Sequence, residues 1–416
     1  MAANFVSTFN LLNGPRLYAR NAQAEIARLG KEMVEGRHAD VGLVLGAKTG
    51  YATLLYQEVD RVGALMTSNG VTAGRLDATQ AALAELYETA DDMLATLVGL
   101  PSNPVSAATI KGEAERNLTA LIDKLNSSFA GAKLFGGIKT DKSPMTDESA
   151  SVQAAFNDFL AGEFTTYWTN LPTDVPPGLG NTAAPTISDI GEREINIFFN
   201  RPDSADLAAS LPGELEAEWR AGNDWPSSDP LPADIQTEIT TKTNALVALA
   251  AAVDTNDADY GFQFNDANWK GSWSSASDAN IRTRISITEE IVTSVNTNAD
   301  PFRQFAQAYA ALGALPSSDL NEQAFKATVS YAIDQISKAM DGLMIMQADL
   351  GTAQARITTA NEKLKAQETL LQQNLVTLEG VDPAEAKVAS DAFELQLNLA
   401  YSLTARLQNL SLLNYL

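Results

Sequence analysis

An apolar stripe at each end of this chain, with everything unlike it in between, restricts the fold more than any other feature. Near the start, Ala22, Ile26, Leu29 and Met33 step by four, three and four residues, which puts all four on one face of a helix. Near the finish, Leu403, Leu407 and Leu410 step alike, inside a run that closes Leu412, Leu413, Asn414, Tyr415, Leu416. Chain ends usually have little to bury and fray in water, so ends this apolar need a partner. The simplest partner is the other end, together with further copies of the chain.

Composition narrows what such an assembly can be. A chain of 416 residues exceeds one ordinary core and implies two to four domains. Its net charge of −23, without a Lys/Arg stripe, argues against a nucleic-acid partner and against an anionic membrane surface. There is no cysteine, which excludes disulfides, thiolate metal sites and cysteine nucleophiles. Residues 1–12 lack the basic region and long apolar core of a signal peptide, and no apolar run approaches the ~20 residues of a membrane span. If the protein is exported, it leaves by a route that needs no cleaved signal.

The first 130 residues read as long helices over 16–35, from 49 through Leu97, and over 107–128, with breaks at Gly14-Pro15, between Gly42 and Gly50, and between Pro101 and Pro104. Composition changes at Leu134-Phe135-Gly136-Gly137. Residues 141–284 hold all five tryptophans and most of the prolines, with a net charge of about −15. Within them, 194–199 (EINIFF) and 260–264 (YGFQF) read as strands and 152–159 and 235–253 as helices, giving a mixed α/β insert. Helix is expected again from about 285, with a break over 313–316, then over 324–350 and 353–378. At 380–384 the break is well specified: Asp382 can cap, Pro383 suits the first helical position, and Glu385 sits where a capping box needs it. The last helix, 383–413, carries Phe393, Leu395, Leu397, Leu399, Tyr401 and Leu403 nearly all the way round, which argues for burial on several sides.

Chemistry-bearing residues are sparse. His38 is the only histidine, so neither a histidine-based triad nor a multi-histidine metal site can be built, and a polar turn residue is the plainer reading. Asp91-Asp92 and Glu289-Glu290 are adjacent pairs that would diverge on a helix and read as solvated surface. Asp254, Asn256, Asp257 and Asp259 before Gly261 form an oxygen-rich loop, but miss the spacing and closing glutamate of an EF-hand. Trp269 and Trp273 beside Asp266 could stack a sugar, although packing is the commoner use of tryptophan in an insert that must build its own core. The expectation is no enzyme: no catalytic residue, metal or cofactor.

Particular segments carry a family resemblance. Residues 32–41 (EMVEGRHADV) stand where bacterial flagellins carry a Ser-Gly-x-Arg-Ile segment followed by an Asp-rich turn, and Leu350-Gly351 with Gln354 and Arg356 resembles their Leu-Gly-x-x-Gln-x-Arg segment. Residues 407–416 (LQNLSLLNYL) and Leu134-Phe135-Gly136-Gly137 are most similar to the hook-filament junction (hook-associated) branch of that superfamily. Ala39-Asp40-Val41-Gly42 replaces the Asp-Asp-x-Ala-Gly turn of major flagellins, and the arginine-containing surface that innate immune receptors recognise is missing around 91–98.

The resemblance implies a mainly α fold with terminal helices paired in a coiled coil. Residues 1–40 and 380–416 would form the terminal core, 41–140 and 285–379 a helical rod domain, and 141–284 a variable outer insert. It further implies a structural subunit of the extracellular bacterial flagellum, a homo-oligomer in a helical tube beside hook-associated and flagellin subunits. Such a subunit is exported by type III secretion with a dedicated chaperone. The assembly interface would use Leu17, Ile26, Leu29, Met33, Leu399, Leu403, Leu407, Leu410, Leu413 and Leu416. The alternatives are the major filament subunit and, from a different class, a surface glycan-binding homologue.

Overall fold

The computed structural model describes residues 8–99, 107–145, 191–200, 202–255, 274–315 and 322–413, with side chains for all of these except 8–13, 200, 254–255 and 407–413. The described chain is mainly helical. Its helices are α1 (Thr8–Glu35), α2 (Val41–Leu45), α3 (Thr49–Gly99), α4 (Ala107–Leu125), α5 (Glu192–Asn200), α6 (Ser204–Gly222), α7 (Ala233–Thr255), α8 (Asp300–Gly313), α9 (Glu322–Glu379) and α10 (Pro383–Leu413). Two short antiparallel pairs complete it: β1 (Ser128–Phe129) with β2 (Ala132–Lys133), and β3 (Arg282–Arg284) with β4 (Glu290–Val292).

The backbone divides into two compact units, one of residues 1–69 and 358–416, the other of residues 70–357. The long helices α3 and α9 contribute to both. In α3, Leu55, Val62, Asn69, Leu76, Leu83, Ala90 and Leu97 are all buried, a strict seven-residue repeat. In α9 the same repeat runs through Ile336, Leu343, Leu350, Ile357 and Leu364. A seven-residue period keeps one face turned to a partner helix over many turns. Within the first unit Asn69 Nδ2 donates to Asn361 Oδ1 at 2.8 Å, and within the second Gln80 Nε2 donates to the Gln347 carbonyl at 2.8 Å.

In the larger unit α8 packs on α4, and α5 and α6 pack on α7. Phe135 and Phe302 meet edge to face at 5.6 Å, and Phe199 of α5 stacks on Tyr331 of α9 at 5.2 Å. Burial pushes the Tyr309 phenol well above its ordinary range. At the start of α8, Pro301 lies so close to Gly342 of α9 that a Cβ there would stand 2.3 Å from Pro301 Cγ.

Several expectations are borne out: α3, α4 and α7 lie where they were read, the chain breaks after Gly313, and α10 starts at Pro383 with the Asp382 carboxylate accepting from the Ala384 amide at 2.8 Å. Others need correction. EINIFF is not a strand but most of α5. Its opening glutamates suit the positive end of a helix, and Glu194 turns back to accept from the Gly191 amide at 3.1 Å, the return half of a capping box. Burial of Ile195, Ile197, Phe198 and Phe199 overrides their strand propensity.

Helix does not resume at 285 but at Asp300; before it, Arg282 pairs with Val292 and Arg284 with Glu290 across a hairpin, so Glu289 and Glu290 lie off any helix. The Gly14-Pro15 break is absent, since α1 runs through Pro15, whose burial offsets the lost backbone bond. Gly351 likewise interrupts nothing, because α9 is continuous. The expected strand at 260–264, helix at 152–159, break at 101–104, oxygen-rich loop after Asp254 and tryptophans 168, 269 and 273 lie outside the described residues or side chains.

Candidate assembly interface

The smaller unit is built around α1 and α10, which pack together along their lengths. On α1 a buried or half-buried stripe runs through Pro15, Ala19, Ala22, Ile26, Leu29 and Met33, in steps of four, three, four, three and four. On α10 a matching stripe runs through Ala386, Ser390, Phe393, Leu397, Ala400 and Thr404, in the same steps. Two helices with matching 3.5-residue periods can interlock over several turns. The pair is antiparallel: the Val381 amide donates to the Gly36 carbonyl at 3.1 Å at one end, and Gln23 Nε2 donates to the Tyr401 hydroxyl at 2.8 Å towards the other. Alanines on both sides allow close approach.

Ile26, Leu29 and Met33, expected at the interface, lie in this seam. Leu17, Leu399 and Leu403 lie outside it and stay exposed, at 56%, 60% and 50% of their accessible surface. All three are thus left largely uncovered within one chain. Leu407, Leu410, Leu413 and Leu416 lie outside the described side chains. Tyr18, Val34, Leu43, Leu54, Val376, Val388 and Leu395 are exposed as well, so most of the large apolar side chains exposed among the described residues belong to this smaller unit.

A polar cluster fastens the base of the helix pair. Glu32, only 2% exposed, accepts from Arg28 Nη1 at 2.8 Å and from the Ala39 amide at 3.0 Å, and His38 Nδ1 stands 3.8 Å from the same carboxylate oxygen. Burial alone would raise the Glu32 carboxyl. The Ala39 hydrogen bond, the Arg28 charge and hydrogen bond, and the His38 charge outweigh it and hold the group below its ordinary range. Gly36, at φ +69°, ends α1 in the left-handed conformation that glycine favours, with its amide on the Glu32 carbonyl at 2.8 Å. The His38 amide donates to the Glu379 carbonyl at 3.0 Å, while the Tyr56 hydroxyl donates to Glu379 Oε2 at 2.7 Å. That bond to Glu379, with burial and the nearby charge, raises the Tyr56 phenol. Gly380 has no room for a side chain, because a Cβ would lie 2.3 Å from the Val376 carbonyl oxygen.

Sequence reading missed Glu32, Tyr56 and Glu379. The available signal was Glu32 itself, three residues past Leu29 and beside Met33 on the apolar stripe, where a carboxylate persists only if satisfied. His38 contributes its amide and lies beside a carboxylate in a turn, a structural use.

The segments singled out in the larger unit have structural work as well. Leu350 is buried, Gln354 Nε2 donates to Asp77 Oδ1 at 2.6 Å, and Arg356 Nε donates to Glu289 Oε1 at 2.9 Å. Leu134 and Phe135 are buried, and the two glycines after them admit no substitute. A Cβ on Gly136 would meet the Lys139 carbonyl oxygen at 2.1 Å, and one on Gly137, at φ +63°, the Ser277 carbonyl oxygen at 2.5 Å. Among the described residues no three His, Cys, Asp or Glu side chains gather as metal ligands, and no helix is long and apolar enough to cross a membrane.

Comparison with known families places both ends of the chain. Residues 6–140 match the bacterial flagellin N-terminal helical region, and residues 333–416 match the bacterial flagellin C-terminal helical region. Neither the curated proteins nor the solved structures include a match.

Proposed function

The chain belongs to the bacterial flagellin superfamily, and from that premise we propose that it is the subunit joining hook to filament rather than the major filament subunit. Members of the superfamily are structural proteins that form helical polymers in the extracellular flagellar filament. The observation that carries the finer reading is the Leu134-Phe135-Gly136-Gly137 turn, which resembles the junction branch and whose buried side chains and crowded glycines make it a fixed structural element. The closing LQNLSLLNYL and the Ala39-Asp40-Val41-Gly42 turn support it in sequence.

On this reading polymerisation is the activity. The α1 and α10 pair meets its neighbours with Leu17, Leu399 and Leu403 still uncovered, and their burial between subunits, together with that of residues 407–416, offsets the entropy of ordering the ends. Residues 1–40 and 380–416 form the inner core, 41–140 and 285–379 the rod, and 141–284 the outward insert. Export follows a type III route, with a chaperone on the C-terminal helices.

Immunogold electron microscopy of intact flagella with an antibody to residues 141–284 tests the assignment. A single short band at the outer end of the hook is the expected result. Label along the whole filament would make this the major filament subunit.

A further inference from the structure

In the larger unit the turn that leaves α6 is open to solvent throughout, since every residue of 221–230 is exposed, yet hydrogen bonds fix its shape. The Trp225 amide donates to the Arg220 carbonyl at 2.9 Å across Asp224, which stands at φ +50°. Trp219 and Trp225 meet over this turn with ring centres 5.7 Å apart and planes inclined at 59°, the apolar contact that commonly closes a helix end. Arg220 turns inward: its Nη1 donates to the Pro226 carbonyl at 2.6 Å and the Asp229 carbonyl at 3.0 Å, and its Nε to Glu216 Oε1 at 2.8 Å. Closing the helix still leaves Trp225 36% exposed. Glycine would hold the left-handed position without strain, whereas Asp224 sets a carboxylate next to the indole. Among the described residues nothing pairs with that carboxylate or with the Ser227 hydroxyl.

We propose that Trp225, with Asp224 and Ser227 beside it in sequence, is a binding platform for a neutral carbohydrate whose ring hydroxyls are equatorial, as in a β-glucan. Nothing in this depends on the role of the chain in the flagellum.

A sugar ring of this kind has a flat face of C–H bonds and a rim of hydroxyls. The face takes exposed indole surface out of water, and the rim hydroxyls donate to the Asp224 carboxylate and exchange hydrogen bonds with Ser227. An anionic ligand fits poorly: Glu216, Asp224 and Asp229 belong to the turn or the last turns of α6, the chain carries −23, and the Arg220 side chain is only 15% exposed and already engaged. A caged organic cation fits poorly as well. Cages surround the cation with aromatic faces, and ring centres 5.7 Å apart leave no space for one between them. What remains open is a single indole surface on a turn that needs no further ordering, which lowers the entropic cost of binding.

Titration of the full chain with cellohexaose, followed by nuclear magnetic resonance of the indole N–H groups and by calorimetry, tests the platform. The Trp225 signal, identified by its absence from Trp225→Ala, should shift saturably with a Kd on the order of 1 mM, as expected for one stacked ring and a few hydroxyl bonds. Trp225→Ala should weaken binding about tenfold, while Trp225→Phe, which keeps a ring and the apolar contact with Trp219, should stay within about threefold of the wild type. Asp224→Gly, which suits the left-handed turn and removes only the carboxylate, should weaken binding roughly threefold to tenfold. No saturable shift of the Trp225 signal up to about 10 mM, ten times the expected Kd, overturns the proposal. So does a W225A chain that binds as the wild type does, or a Trp225 signal that answers to tetramethylammonium and not to cellohexaose, which would make this a cation site.

Discussion

Replacing both Leu399 and Leu403 by alanine should separate assembly from folding. The two side chains are 60% and 50% exposed in the single chain, so roughly half of each has yet to be buried. Full burial of a leucine is worth ~1.5–3 kcal/mol, so a neighbour that covers the remaining half gains about 1 kcal/mol per residue and about 2 kcal/mol for the pair. Assembly at equilibrium leaves free subunit at a concentration that changes tenfold per 1.4 kcal/mol, and the double variant should raise it about thirtyfold. Sedimentation of polymer over a concentration series measures that value directly. Denaturant unfolding of the dissociated subunit should move by no more than ~0.5 kcal/mol, because surface truncations away from packed features usually cost little. An unchanged free-subunit concentration would refute the idea that these leucines are covered in the polymer. A subunit destabilised by the full 2 kcal/mol would show instead that they pack within the chain.

Gly342→Ala puts a methyl into the contact with Pro301 and should destabilise the larger unit by ~1–3 kcal/mol in thermal unfolding, with helix content otherwise kept. Asn361→Ala removes the 2.8 Å bond from the buried Asn69 amide and should cost about 1–3 kcal/mol in denaturant titration. The Tyr56 phenol is raised above its reference value of 10.0 by its bond to Glu379, so its contribution is complete below that value and is lost as pH rises through the folded one. Tyr56→Phe should therefore flatten the alkaline arm of the stability profile, and an alkaline loss as steep as in the wild type would assign it to another group.

What could be read from residues alone was whatever repeats locally. The stripe through Ala22, Ile26, Leu29 and Met33, the long apolar face of α3, and the Asp382-Pro383 start of α10 rest on spacing or on capping chemistry within a few residues, and the structure places each where the spacing implies. Leu350, Gln354 and Arg356 stood out by family resemblance, which does not tell that Asp77 receives Gln354 and Glu289 receives Arg356. Tertiary packing decided the rest. EINIFF became helix because Ile195, Ile197, Phe198 and Phe199 find a core there, and 282–292 became a hairpin because Ile285 and Ile291 are buried by it. On α10, apolar nearly all round, no period could choose a face. The partner helix chose Ala386, Ser390, Phe393, Leu397, Ala400 and Thr404 and left Leu399 and Leu403 outside. Tyr56 and Glu379 met only through folding, since their bond spans 323 positions, and a contact at that separation is set by three-dimensional proximity that no local pattern encodes.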